Sequence, residues 1–197
     1  MMNRLANARG QSLVEFAIVI PLVLLVVLGV VEIGYALLDQ HVITKLTREG
    51  SNLISRNSSI QDAETVMTRM QTTPVDFSST KSRLIFSVLR KGATTGTANY
   101  DQIILYQRHA IGGLSGVGIA SKLITRGTGS FQGAPNYEAN NSDTDTNLQI
   151  TPLPANIQLA RGGLLYVTEI YSSHPVITPL DRFGVTVPDT LYSIAIF

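Results

Sequence analysis

The sequence of 197 residues contains no cysteine. That absence excludes a disulfide, a thiolate metal site and a cysteine nucleophile. Charged residues are scarce as well, at 15% of the chain against an average of about 25% in globular proteins. The charges nearly balance, with 15 lysines and arginines against 14 aspartates and glutamates. There is therefore no overall basic field, and we expect no nucleic-acid partner.

Residue spacings that carry catalytic or metal chemistry are missing too. The histidines His41, His109 and His174 lie far apart and form no HxxxH or HxH pattern. Residues 143–147 resemble the start of a calcium loop, but Leu148 stands where an EF-hand requires glycine. No Ser/His/Asp set or carboxylate pair has usable spacing. We expect no enzymatic activity, no catalytic, cofactor-binding or metal-binding residue, no cofactor and no small-molecule substrate.

The chain does contain one long apolar segment near its N-terminus. Residues 16–31 carry no charge, and the apolar stretch extends from Leu13 to Leu38 with Glu15 and Glu32 as its exceptions. Its length exceeds the ~20 residues that cross a bilayer. Because both carboxylates lie near the ends of the stretch, we expect them to reach the lipid headgroups. The segment is a predicted transmembrane helix.

The charges that flank this segment predict its orientation. Arg4 and Arg9 precede it, whereas Asp39 follows it. By the positive-inside rule the N-terminus stays in the cytoplasm and the C-terminal domain is exported to the periplasm. An alternative is a secretory signal cleaved near Ala36, because residues 34–36 form a small-x-small pattern. The apolar run is longer than that of an ordinary signal, which favours a retained single-pass anchor in a bacterial inner membrane.

A short motif marks the start of the apolar segment. A basic leader ends at Gly10, Gln11 follows, and Glu15 and Phe16 stand directly before the apolar run. This order resembles a prepilin peptidase site, in which cleavage follows the glycine and the apolar segment stays on the mature protein. Glycine has no Cβ and allows a close approach of the backbone to the peptidase.

The run of residues 9–36 resembles the TadE-like family, the minor pilins (pseudopilins) of the tight-adherence (Tad or Flp) pilus. Residues 47–50 are similar to a stretch that this family often carries after its membrane helix. The resemblance covers about residues 9–50 and implies a minor pilin that takes part in pilus assembly, adhesion and biofilm formation. Its implied partners are the inner membrane, a prepilin peptidase, other major and minor pilins and the pilus assembly platform. It implies that the protein can enter an extracellular pilus.

Two alternatives to this function remain open. The chain could be an uncleaved, single-pass component of the secretion or pilus apparatus, or a membrane-tethered binding module. Cleavage after Gly10 distinguishes these from a processed pilin.

The motif residues have physical roles in the pilin interpretation. Cleavage exposes the α-amine of Gln11, which is mostly protonated at neutral pH. Glu15 is its natural counter-charge in a neighbouring subunit, although contact with headgroups alone is the alternative and cyclisation of Gln11 would remove the amine charge. Pro21 removes one backbone hydrogen bond and predicts a kink, as in the curved helices of pilins, or else is a tolerated membrane proline.

Beyond the membrane segment the pattern predicts a longer helix and an α+β head domain. An amphipathic stripe continues to about Ser55 and must pack on its own head or on neighbouring helices: Leu38, Val42, Leu46, Gly50 and Leu53. The predicted divisions are a cytoplasmic leader 1–10, a transmembrane helix 11–38, its amphipathic continuation 39–57 and the exported head 58–197.

The head is predicted to begin with a second helix and to continue as an antiparallel sheet. Ser58 and Gln61 fit a capping box before a helix that ends by Pro74, with one apolar face: Ile60, Ala63, Met67 and Met70. Four apolar runs predict strands: 84–89, 103–107, 164–171 and 191–197. Helices followed by strands indicate a pilin-like α+β fold. The polar stretch 112–147 is the candidate contact surface, because loops of this length tend to be functional.

Overall fold

The computed structural model describes residues 3–56, 58–150, 153, 157–186 and 188–197, with side chains from Gln11 onward. The first two residues of the predicted leader and Asn57, the end of the predicted helical continuation, lie outside this description. The helices and strands follow in this order: α1 Asn3–Ser55, α2 Ile60–Met70, β1 Ser82–Lys91, β2 Ile103–Ile111, β3 Leu164–Ser173 and β4 Thr190–Ile196. Two short 3-10 helices are Thr146–Leu148 and Pro179–Phe183. A long apolar helix thus precedes a four-stranded antiparallel sheet, and the predicted α+β class is confirmed.

The chain forms two compact units. The N-terminal unit contains the chain up to Leu38 together with His174–Asp189, and the sheet unit contains Asp39–Ser173 and Thr190–Phe197. Helix α1 contributes to both units, and the segment His174–Asp189 connects β3 to β4 in the sequence.

In the N-terminal unit, the part of α1 from Leu13 to Leu38 presents an almost entirely apolar surface. Most of its large apolar side chains between Leu13 and Leu38 are exposed. By length and composition this helix is able to cross a membrane, since about 20 apolar residues span the hydrocarbon core. An apolar surface of this extent needs a non-aqueous environment, because exposing it to water is unfavourable in proportion to its area.

In the sheet unit the strand order is β2-β1-β3-β4, with every neighbouring pair antiparallel. The central strands align Leu84 with Ile170, and β3 aligns Glu169 with Ile194 of β4. Each predicted strand is present, and β1, β2 and β3 extend two to four residues beyond their predicted bounds. The extensions carry polar residues that pair through their backbones, which apolar patterning does not detect.

The second half of α1 packs on one face of this sheet. Ile43, Leu46 and Ile54 are buried in the same cluster as Phe86 of β1 and Ile170 of β3. Of the predicted stripe, Leu46 and Gly50 are buried and Val42 and Leu53 are partly buried, whereas Leu38 is exposed. The stripe therefore packs on its own head domain, which was one of the two options left by the sequence.

Helix α2 contributes Ile60, Ala63 and Met67 to that cluster, as predicted, whereas Met70 is exposed. The predicted capping box at Ser58 and Gln61 is wrong by one residue. Ser59 is the N-cap: its hydroxyl accepts from the Asp62 N–H at 3.1 Å and donates to the Asp62 carboxylate at 2.7 Å. The Asp62 carboxylate accepts from the Ser59 hydroxyl, whereas in a capping box the third residue accepts from the backbone N–H of the N-cap.

The opposite face of the sheet is covered by the long connection between β2 and β3. Leu123 from this connection is buried with Leu89, Leu105 and Val167 in a second apolar cluster. The Tyr171 hydroxyl of β3 donates to the Ala120 carbonyl at 2.6 Å and fastens the connection to the sheet. The polar stretch 112–147 is therefore in part a structural cover, and its role as a contact surface stays a prediction.

Candidate functional site

The predicted processing motif lies on one continuous stretch of α1. Gly10 and Gln11 are both helical in the intact chain. The Gln11 side-chain amide donates to a Glu15 carboxylate oxygen at 3.1 Å, one helical turn away. Exposed pairs at this spacing contribute only about 0.2–0.5 kcal/mol. Glu15 thus has an exchangeable partner within its own chain, and its pairing with a neighbour's α-amine stays a prediction.

The motif leads into exposed apolar surface. Phe16 is 65% exposed, and Leu13 and Val14 beside it are exposed as well. Pro21 lies inside α1, which continues through it. Since proline has no N–H, the Ala17 carbonyl receives no helical hydrogen bond from position 21. The kink expected from that missing hydrogen bond stays a prediction.

The second acid of the apolar stretch has a very different environment. Glu32 is only 1% exposed. Its Oε2 accepts from the Thr178 N–H at 2.8 Å and from the Thr178 hydroxyl at 2.7 Å. The Ile177 N–H lies 3.2 Å from each carboxylate oxygen. The prediction that Glu32 reaches the headgroups is wrong, because donors of the segment 174–189 satisfy it instead.

His174 completes this second site. Its Nε2 lies 3.5 Å from Glu32 Oε1, and its ring is buried. The N–H of His174 donates to the Asp189 carbonyl at 2.7 Å, so the two ends of the segment meet. Sequence reasoning missed this site because Glu32 and Thr178 are 146 positions apart. The available signal was the acid itself, since a carboxylate inside an apolar helix requires hydrogen-bond donors.

A third acid, Glu169 of β3, is fully buried beneath the cover of the sheet. It accepts from the Ser121 hydroxyl at 2.5 Å, the Lys122 N–H at 2.7 Å and the Tyr192 hydroxyl at 2.9 Å. Burial, and then the Glu169 charge, raise the pKa of the Tyr192 phenol above its ordinary value. This network joins the cover to β3 and β4.

Arg108 of β2 belongs to the same network. Its guanidinium donates to the Ser121 hydroxyl at 2.9 Å and to the Leu123 carbonyl at 3.3 Å. Burial lowers the pKa of this guanidinium, and the charge of Glu169 partly offsets the effect. Arg108 and the neighbouring His109 both lie on β2.

His109 contacts the side chains of the second helix and the cover. Its Nε2 lies 3.1 Å from a Glu64 carboxylate oxygen, and its ring stacks on Tyr137 with centroids 3.8 Å apart. His41 is exposed on α1. Within the described part of the chain, no group of three or more His, Asp or Glu side chains is arranged to hold a metal ion.

The residues that resemble a calcium loop have partners in the protein itself. Asp143 forms an ion pair with Arg90 at 2.8 Å and accepts from the Thr94 hydroxyl at 3.0 Å. Asp145 caps the short 3-10 helix Thr146–Leu148 by accepting from the Asn147 N–H. These carboxylates stabilise turns of the cover.

Comparison with protein families decides what the N-terminal segment is. Residues 10–52 match the family model described as TadE-like protein. This segment is TadE-like. The predicted family is confirmed over these residues, and it suggests involvement in the tight-adherence pilus. No curated protein and no solved structure matches the chain significantly.

The TadE-like segment contains most of the features described above. It starts at Gly10, includes Glu15, Pro21 and Glu32, and ends three residues before the end of α1. The apolar part of this helix fits a single-pass membrane anchor. The sheet and its cover lie outside the TadE-like match.

Proposed function

We propose that this protein is a minor pilin or pseudopilin of the tight-adherence pilus. It is held in the inner membrane by α1, with its N-terminus in the cytoplasm and its sheet unit in the periplasm. A prepilin peptidase cleaves it after Gly10, and the mature protein joins other major and minor pilins through the assembly platform. The function is adhesion and biofilm formation. The proposal includes no catalytic activity, cofactor, nucleic acid or small-molecule substrate.

One observation carries this proposal: the TadE-like match begins at Gly10 and includes the whole exposed apolar part of α1. The matched segment thus contains the proposed scissile bond and the element that would hold the precursor in the membrane. Arg4 and Arg9 on one side and Asp39 on the other support the cytoplasmic position of the N-terminus.

The chemistry of processing is hydrolysis of the peptide bond between Gly10 and Gln11. Water adds across this bond, which leaves the leader with a new carboxylate and the mature chain with a new α-amine on Gln11. Proteases bind extended backbone, so α1 must unwind locally at the bond. A glycine inside a helix weakens it by roughly 0.5–1 kcal/mol relative to alanine, which favours unwinding at Gly10.

Assembly would then use the exposed surface around Glu15. The carboxylate is exposed, and its hydrogen bond to the Gln11 amide is weak enough to be replaced. The α-amine of a neighbouring subunit is a stronger partner, because hydrogen bonds between charged groups contribute about twice as much as neutral ones. Phe16 and the exposed leucines and valines of α1 supply the apolar contact between helices.

Mass spectrometry of the N-terminus tests the proposal directly. The full-length protein is produced in cells with and without a prepilin peptidase, as wild type and as Gly10→Ala. We expect a mature start at Gln11 only in wild-type protein from cells with the peptidase. Gly29→Ala is the matched control, since Gly29 lies in the same helix away from the bond and its added Cβ meets nothing within 4 Å. It should be processed normally.

A different first residue in the protein isolated from cells would support one of the alternative functions. An unprocessed N-terminus in both strains would overturn the pilin proposal and favour a permanently anchored component of the apparatus or a tethered binding module. A start near Leu37 in both strains would instead indicate an ordinary secreted protein.

A further inference from the structure

The segment His174–Asp189 exposes four large apolar side chains within ten residues. Val176 is 43% exposed, Ile177 53%, Phe183 61% and Val185 42%. Single exposed apolar residues are ordinary, but a group of them on one short segment is typical of a contact surface. The segment belongs to the same compact unit as the exposed apolar part of α1.

Glu32 fastens this segment to α1. Three donors, the N–H groups of Ile177 and Thr178 and the Thr178 hydroxyl, converge on its carboxylate. The neighbours of Glu32 on the helix, Val31 and Ile33, are exposed. Ile177, one of the four exposed apolar residues, is therefore held against α1 at the level of the exposed Val31 and Ile33. The hydrogen bonds from Ile177 and Thr178 satisfy the Glu32 carboxylate at this contact.

The position of Glu32 along α1 indicates the depth of the segment. Glu32 precedes Leu38, the end of the apolar stretch, by six residues. At a rise of 1.5 Å per residue this separation is roughly 9 Å. Interfacial segments bury their apolar side chains about 5–10 Å into the boundary between headgroups and acyl chains. The segment is thus fastened at the depth of that boundary.

The remaining composition of the segment also fits the interface and not the hydrocarbon core. Asp181 and Arg182 are exposed on its 3-10 helix, Pro179–Phe183. Irregular backbone exposed to lipid is not tolerated within the core. At the interface, by contrast, an arginine can extend its charge towards water while its stem covers apolar surface.

We propose that the segment His174–Asp189 docks on the lipid bilayer as a second membrane contact of this chain, with Val176, Ile177, Phe183 and Val185 in the headgroup boundary. Its occupant is lipid, because Glu32 holds this segment against the membrane helix at the level of exposed apolar side chains of that helix. The proposal rests on α1 as a membrane anchor and is independent of cleavage after Gly10 and of pilus assembly.

The absence of tryptophan from the sequence allows a clean test. The full-length protein is reconstituted in vesicles of phosphatidylethanolamine and phosphatidylglycerol that contain lipids brominated either near the headgroup or near the chain end. The emission of Phe183→Trp should fall by roughly half with shallow bromines and much less with deep ones, as expected for an interfacial side chain. Val23→Trp, on α1, should be quenched by bilayer bromines, and Val117→Trp, fully exposed in the sheet unit, should not respond.

A second pair of variants tests the role of Glu32. In the Phe183→Trp background, Thr178→Val removes one hydroxyl donor to Glu32 while keeping the side-chain shape. It should reduce the quenching by shallow bromines. Thr186→Val makes the same change at an exposed threonine of the same segment and should leave the quenching unchanged.

Each other outcome overturns the docking. Phe183→Trp emission that matches Val117→Trp, while Val23→Trp is quenched, would refute the docking and leave the anchor intact. A lack of quenching in both Phe183→Trp and Val23→Trp would refute the docking of the segment and the membrane anchor. A blue-shifted Phe183→Trp emission that ignores bromines and depends on the protein-to-lipid ratio would show that a second copy of the chain covers the segment.

Discussion

Two buried glutamates, Glu32 and Glu169, are held by donors from distant parts of the sequence. Glu169 accepts from the Lys122 N–H and the Tyr192 hydroxyl, and Glu32 accepts from both donors of Thr178. An ionised carboxylate is expensive to bury unless such donors replace its water. Sequence reasoning identified the acid at position 32 but not its partners. The contacts span 145 or 146 residues, so no local pattern reports them.

Ser121, in the cover of the sheet, forms hydrogen bonds with two charged side chains, the partly buried Arg108 and the buried Glu169. Its hydroxyl accepts from Arg108 and donates to Glu169. Ser121→Ala should lower the free energy of unfolding by about 1–3 kcal/mol, because two charged partners each lose a partly buried hydrogen bond. Thermal or guanidinium unfolding of the full chain in detergent micelles measures the change. Ser115→Ala, an exposed serine of the same connection, should be neutral, and an equal loss in both variants would contradict the prediction.

The tyrosines beside Glu169 predict how stability changes at high pH. Burial, followed by the charge of Glu169, raises the pKa of Tyr171 from 10.0 to about 12, and the pKa of Tyr192 is raised as well. The folded state thus favours the protonated phenols. Below pH 10 this stabilisation is fully present, and above it the unfolded chain ionises first. Stability should therefore fall as the pH rises from about 10 towards 12.

Phenylalanine substitution tests that pH dependence. Tyr171→Phe removes the titrating phenol and should make the decline of the unfolding midpoint between about pH 10 and 12 shallower than in the wild type. The loss of its hydrogen bond to the Ala120 carbonyl lowers the midpoint at all pH values, so the slope is the measurement. Tyr100→Phe, in the turn between β1 and β2, is the comparison. An unchanged slope in Tyr171→Phe would show that other groups govern alkaline unfolding.

At the scale of elements, the apolar pattern of the sequence predicts the helices and strands. The end of α1 at Ser55, the buried face of α2 and all four strands follow from apolar periodicity and turn residues. The connection between β2 and β3 has no such periodicity, and its order comes from isolated bridges to the sheet and within itself, such as Gln107 with Glu138 and Phe131 with Ala139. Tertiary contacts of this kind are not visible in the sequence.

The close packing of α1 on β3 requires a small residue at Gly50. A Cβ added there would lie 2.8 Å from Thr168 Cγ2 on central strand β3. Thr168 is fully buried and β-branched, so it has little room to move. Gly50→Ala gains about 1 kcal/mol of helix propensity but incurs about 1–3 kcal/mol of overpacking. We expect a net destabilisation, measured as a lower unfolding midpoint in detergent micelles.

Gly34→Ala is the matched control for this experiment. An added Cβ at Gly34 meets nothing within 4 Å. The variant should therefore be neutral or slightly stabilised through helix propensity alone. If Gly50→Ala were also stabilised, α1 would lie farther from β3 than the structure shows.

At the scale of the whole molecule, the TadE-like segment and the sheet unit differ in how far the sequence explains them. Gly10, Gln11, Glu15 and Phe16 form a local motif, so their positions on α1 were predictable. The hydrogen bonds of Glu32 were not predictable, because their donors lie on a segment beyond β3. The hydrogen-bond partners of the two acids identify Glu15, and not Glu32, as the acid that is available for contacts between molecules. Glu32 accepts three hydrogen-bond donors within its own chain, whereas among the described side chains Glu15 is paired with the exposed Gln11 amide.

This distinction predicts the behaviour of Glu15→Gln in cells that assemble the pilus. The variant should be cleaved after Gly10 and retained in the membrane at wild-type levels. Its amount in sheared surface filaments should fall about tenfold or more, because a charged hydrogen bond contributes about 1.5–3 kcal/mol and each 1.4 kcal/mol is tenfold in an equilibrium. Immunoblots of sheared and membrane fractions measure the ratio.

Glu49→Gln supplies the matched control, because it makes the same change on the same helix beyond the apolar stretch. It should keep the wild-type ratio of filament to membrane protein. An equal ratio in both variants would mean that Glu15 contacts headgroups and not a neighbouring Gln11 amine. The mass of the mature N-terminus adds an internal check: a fully cyclised Gln11 has no amine charge, so filament entry of such protein would exclude the ion pair even if Glu15→Gln were defective.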